Sequence, residues 1–206
     1  PVKICIACYS CNWTVSGTNA CGSGTISANF PVTVNGAASV TVSANPGFTI
    51  TGGTTATLTA NPTNGGNTPT YQWKKNGVVI PGSPNTSPYA YQYLVNGDVI
   101  SVQLTVGGGC VTNSPVNSGN YGFTVNALPT PYSVTGGGPW CMGGSGVPVG
   151  LSNSESGVNY QLKLDNVNDG SPVSGTGSAI SFGNKTAAGN YTVLATRVAT
   201  GAVCTM

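Results

Sequence analysis

Three cysteines near the start of the chain have a spacing that chemistry can use. Cys5, Cys8 and Cys11 form C-x2-C-x2-C, the spacing of thiolate ligands around an iron–sulfur cluster or half of a zinc site. A cluster needs a fourth cysteine in step, and Asn12 stands where the run would continue. Zinc needs a second C-x2-C, and the chain has none. Seven cysteines without one histidine instead point to an oxidising, extracellular setting, with the thiols destined for disulfides. The missing histidine excludes His-based triads and His metal ligands. The acids are only Asp98, Glu155, Asp165 and Asp169. Glycoside hydrolysis needs two converging carboxylates, and the one close pair, Asp165 and Asp169, lies in a hairpin turn. As a calcium loop that segment fails, because Val167 occupies a required oxygen position and no closing Glu follows. The expectation is a protein that is not an enzyme, with no catalytic residue, metal or cofactor.

The composition around these residues is unusual. Of 206 residues, 31 are Gly and 14 Pro, which suits many short strands joined by turns. Charged residues make up 5%, against roughly 25% in an ordinary globular domain. A net charge of +2 offers no basic footprint, so no nucleic-acid partner is expected. No apolar run could span a bilayer, and no basic-then-apolar leader opens the chain; the start at Pro1 reads as a mature or excised form. Hydroxyls and amides must supply solubility, which suits a fibre or surface coat. Asn-x-Ser/Thr sites at Asn12, Asn85, Asn184 and Asn190 matter only where the source glycosylates them.

The elements that must position these residues centre on Thr70 to Gly82. Tyr71 and Trp73 alternate with Thr70, Gln72 and Lys74, the period of a strand buried on one face. Asn76-Gly77 supplies a tight hairpin turn, and Val78 to Ile80 returns. A Trp on such a strand, followed by Lys-Asn-Gly, resembles strand C of an immunoglobulin-like sandwich. The plan repeats along the chain: Phe30, Val32 and Val34 match Tyr121, Phe123 and Val125. Cys21, Cys110 and Cys204 fall 89 and 94 residues apart, one module each time. The fold class expected is all-β, with tandem immunoglobulin-like modules in three parts. Residues 1–36 hold an amino-terminal strand plus the last two strands of a truncated module. Residues 37–127 form a complete module, with strands at Ser39–Ala44, Thr55–Ala60, Tyr89–Tyr93 and Val99–Val106. Residues 128–206 form a module lacking its final strand, with strands at Val147–Leu151, Val158–Leu164, Ala179–Gly183 and Tyr191–Val198. The core of the complete module is predicted to include Leu58, Tyr71, Trp73, Ile100, Val102 and Leu104.

Tyr71-Gln72-Trp73 with Asn76-Gly77, then Leu94-Val95-Asn96-Gly97-Asp98, resembles the Ig-like repeats of giant secreted surface proteins of Bacteroidota, gliding-motility adhesins and other products of the type IX secretion route among them. Thr135 to Gly138 with Cys141, Gly143 to Leu151, Gly170 to Ser178 and Ala187 to Val193 resemble the sister repeat found beside them. Most of residues 12 to 206 is covered. Such repeats serve as stalks, spacers and adhesive surfaces, so the resemblance implies an extracellular, cell-surface structural role. Aligned to the Asp-x-Tyr-x-Cys corner of immunoglobulin domains, Asp98 keeps the Asp, Ile100 and Val102 replace Tyr and Cys, and Leu58 takes the other core Cys position.

Cys141 precedes one strand of the last module and Cys204 follows another, so a disulfide between them is expected, closing about 60 residues and adding ~4 kcal/mol. Cys5, Cys8, Cys11, Cys21 and Cys110 are then left, an odd number, which suggests bonds between chains. Val2, Ile4 and Ile6 alternate as a strand without a module. Donated to the open edge of a neighbour's last module, that strand would make a head-to-tail homopolymer, a surface filament. The alternative is a carbohydrate-binding or spacer module of a larger secreted repeat protein or polysaccharide-degrading enzyme, with surface glycans as partners of Tyr89, Tyr91 and Tyr93.

Overall fold

The computed structural model describes residues 11–13, 18–19, 21–23, 30–32, 36–108, 111 and 113–206. The chain is all-β and divides into two compact units, Pro1–Thr124 and Val125–Met206. No helix among the described residues is long and apolar enough to cross a membrane.

In the first unit, β1 (Cys11–Trp13) pairs antiparallel with β4 (Phe30–Val32), and β2 (Thr18–Asn19) forms a hairpin with β3 (Gly22–Ser23). An immunoglobulin-like sandwich follows. One sheet orders β10 (Tyr89–Tyr91), β7 (Ala56–Thr63) and β5 (Ser39–Asn45). The other orders β12 (Val116–Asn117), β11 (Val99–Thr105), β8 (Thr70–Lys75) and β9 (Val78–Val79), with β13 (Tyr121–Gly122) also on β11. Two short strands, β6 (Thr49–Thr51) and β14 (Thr124–Asn126), complete it; the Thr124 N–H donates to the Phe48 carbonyl at 2.9 Å.

The alternation read from the sequence produces this core. Leu58, Trp73, Ile100, Val102 and Leu104 are wholly buried, and Val40 and Val42 face them from β5. Each such side chain contributes roughly 1.5–3 kcal/mol of burial. Tyr71, expected in this core, is only half-buried. The outer strand beside β11 is broken, running as β12 and then β13. At the break Ser118 replaces the regular ladder: its N–H donates to the Val102 carbonyl and its Oγ accepts from the Val102 N–H, at 2.8 and 2.9 Å.

The second unit repeats the architecture. One sheet orders β15 (Val134–Gly136), β16 (Val147–Leu151) and β20 (Ile180–Lys185). The other orders β18 (Val167–Asn168), β17 (Val158–Leu164), β21 (Tyr191–Arg197) and β22 (Val203–Thr205), with β19 (Val173–Ser174) also on β17. Leu151, Val158, Tyr160, Leu162, Val193 and Ala195 form the buried centre.

One expectation is corrected here. The last module does not lack a strand after Tyr191–Arg197, because β22 pairs antiparallel with it, Ala195 opposite Cys204 and Thr196 opposite Val203. The turn is closed by Gly201 at φ 71°, whose N–H donates to the Arg197 carbonyl at 2.8 Å. Met206 continues the ladder with two bonds to Val193.

Candidate functional site

Matching registers place the same residue position at the hairpin turn of each sandwich. Asn76 follows β8 and stands opposite Val99; Asp165 follows β17 and stands opposite Asn190. Both take positive φ, 53° and 48°, as a tight primed turn requires. Asn76 Oδ1 accepts from the Val99 N–H at 2.8 Å, and Asp165 Oδ1 from the Asn190 N–H at 2.9 Å.

The first sandwich adds a charged knot at this turn. Asp98 is 3% exposed and accepts from Asn76 Nδ2 at 2.8 Å, from the Val95 N–H at 2.9 Å and from Lys75 Nζ at 3.2 Å. Burial alone would push its carboxyl up, but these donors outweigh burial and hold it below the usual carboxylate range. Beside the knot runs a series of aromatic rings. Trp73, Tyr89, Tyr91 and Tyr93 lie in contact, with centroids 5.9, 5.6 and 5.8 Å apart. The series climbs from wholly buried Trp73 to Tyr93, which is 68% exposed. Lys75 Nζ sits 5.8 Å over the Tyr91 ring. Of the tyrosines singled out for glycans, Tyr91 is therefore core and Tyr93 surface.

In the second unit Glu155 pairs with Arg197 at 2.8 Å and accepts from the Thr130 N–H. The Thr130 bonds, the largest influence, hold its carboxyl below the usual range against the opposing effect of burial, with Arg197 adding to the lowering. Arg197 also donates to the carbonyls of Ala127 and Leu128 at 3.1 and 3.2 Å. Asp169 is paired with Lys185 at 3.0 Å. Neither ion pair was legible beforehand, because the partners lie 42 and 16 residues apart and no periodicity links them.

A groove of about 410 Å³ opens at one end of this sandwich. It lies between the run leading to β16, with Gly137, Gly138 and Trp140, and the loop from Lys185 through Gly189 to Tyr191. The Tyr191 hydroxyl donates to the Ala187 carbonyl at 3.0 Å, which fixes the loop. Trp140 Nε1 is buried, with no acceptor among the described residues.

The bridge expected between Cys141 and Cys204 is not formed. Cys141 is exposed in a turn closed by the Gly144 N–H, and Cys204 is half-buried on β22. Strand direction gives the reason. The end of β16 feeds directly into β17, and Val158 at the start of β17 stands opposite Arg197 at the end of β21. The end of β21 therefore lies with the end of β16, whereas Cys141 belongs to its start. Val2, Ile4, Ile6, Cys5, Cys8 and Cys110 lie outside the described residues. Cys11 lies on β1, and Cys21 is exposed in the turn between β2 and β3.

No family model matches the sequence, and neither does any curated protein sequence. Among solved structures, the chain is similar to a human OSCAR ligand-binding domain, with a TM-score of 0.30 and 14% identity over 80% of this chain and 93% of that one.

Proposed function

We propose that the protein is an extracellular structural and adhesive protein of the cell surface, not an enzyme. One observation carries this reading: each of the four acids is committed to holding the fold. Asp98 is tied to Lys75 and Asn76, Glu155 to Arg197, Asp169 to Lys185, and Asp165 to the Asn190 backbone. With no histidine in the sequence, neither an imidazole nor an uncommitted carboxylate remains for general acid–base work near neutral pH. What is left outside is a nearly uncharged surface of amides, hydroxyls and rings, suited to contact with other surfaces.

Within this reading the chains associate head to tail into a filament. Residues 1 to 8, with Val2, Ile4 and Ile6, add as a strand to a sheet edge, and Cys5, Cys8 and Cys11 supply bonds between chains. Because β22 covers much of the edge beside β21, the acceptor is the outer edge of β20, a six-residue strand with no second neighbour among the described residues. Negative-stain images of the full chain and of a chain without residues 1 to 8 test this. Filaments only with the full chain, dispersed by reductant into shorter pieces, are expected. Filaments from both chains, or from neither, reject the assembly.

A further inference from the structure

We propose that Asn76 is a site of self-modification, whose deamidation the Asp98 knot holds off and whose conversion then disables that knot irreversibly. The chemistry needs only water. The Gly77 backbone nitrogen attacks Asn76 Cγ, the Cγ–Nδ2 bond breaks, and the side-chain amide leaves as ammonia with the proton that Gly77 gives up. Water then opens the succinimide ring at either carbonyl, giving aspartate or isoaspartate. Glycine at position 77 permits the attack, because no Cβ crowds its nitrogen. Asn76 and Gly77 are both exposed, so burial does not keep water from this turn.

What holds the reaction off is the side-chain bonding. Asn76 Oδ1 accepts from the Val99 N–H and Nδ2 donates to Asp98 Oδ1, both at 2.8 Å. Cγ reaches the Gly77 nitrogen only by giving up both bonds, which strips a donor from a carboxylate that is 3% exposed. Asn64-Gly65, in the same unit, is the internal control. Asn64 has almost the same φ, 54° against 53°. Its side chain makes one hydrogen bond among the described residues, from Nδ2 to the Ala37 carbonyl at 3.0 Å.

Either product disables the knot. Aspartate at position 76 still accepts from Val99 but cannot donate to Asp98, and it sets a second carboxylate against the first. Isoaspartate adds a backbone atom to a two-residue turn. The second sandwich tolerates an acid at the matching position, Asp165, because glycine rather than a carboxylate-bearing residue stands beside it at 189.

The test ages the full chain in mildly alkaline buffer, folded and in urea. Peptide mass spectrometry follows amide-to-acid conversion at Asn76 and Asn64. In urea the two should convert at similar rates, whereas in the folded chain Asn76 should be at least tenfold slower than Asn64. Asp98→Ala should bring Asn76 close to the Asn64 rate without accelerating Asn64; a mere loss of stability would speed both. Asn76→Asp should lower the urea midpoint of the first sandwich and leave that of the second in place. Conversion of Asn76 as fast as Asn64 in the folded wild type overturns the shielding, and so does a parallel rise of both in Asp98→Ala. An unchanged first midpoint in Asn76→Asp overturns the switch.

Discussion

At the first sandwich's hairpin turn, Lys75, Asn76 and Asp98 form a knot; at the equivalent positions the second sandwich has Leu164, Asp165 and Gly189. The backbone does the same thing in both, since Asn76 and Asp165 each accept from the N–H across the ladder. The side chains differ as a set. An Asn can accept through its oxygen and donate through its nitrogen, so Asn76 can also hold the Asp98 carboxylate. Asp165 has only acceptors. A second carboxylate beside it would meet like charge, with no Lys to offset it. Gly189 stands there instead, and any Cβ would collide with Leu164 and with the Asp165 carboxylate. One fold thus tolerates either a charged or an apolar solution at this turn, but the three positions change together.

The largest effect separates the cores and leaves the turns alone. Trp73→Ala removes a wholly buried side chain and should cost the first sandwich about 3–5 kcal/mol. Calorimetry should then show two transitions, the second sandwich melting as before. A uniform shift of both would mean that the units do not unfold independently.

Asp98→Ala comes next, at about 3 kcal/mol, because it leaves Lys75 and Asn76 without their buried partner. The same carboxyl sets a pH dependence. Its folded-state pKa is lowered, so its stabilisation is complete above the unfolded value of about 4 and fades as pH falls through the folded value. Urea titrations of the wild type from pH 6 downward should show this fading in the first transition, and Asp98→Asn should flatten it. Glu155, also lowered, gives the second sandwich a dependence of the same sign.

Gly189→Asp imports the acid of the first sandwich without its partners, and should cost about 2–3 kcal/mol through backbone strain at φ 155°, crowding and like charge. Adding Leu164→Lys and Asp165→Asn should recover the part due to crowding and like charge and leave the backbone strain. A triple variant no better than the single one, by urea midpoint, would break the idea that the three positions act as a set.

The smallest effect is expected for Asp165→Ala. It removes one exposed backbone bond and should cost about 1 kcal/mol, roughly a third of the Asp98 loss. Equal losses would show that the knot adds nothing to the shared latch.

The sequence by itself determined what repeats locally. Alternation put Trp73, Leu58, Ile100, Val102 and Leu104 inside, and Asn76-Gly77 fixed a hairpin, because strand period and positive φ are properties of neighbouring residues. The tertiary structure alone decided what depends on strand direction and on pairs distant in the chain. It paired Arg197 with Glu155 and Lys75 with Asp98. It also set Cys141 at the start of a strand whose end meets the end of β21, and turned the last residues back as β22. A short strand such as Val203–Thr205 has too few residues to carry a period, so only the edge it pairs with reveals it.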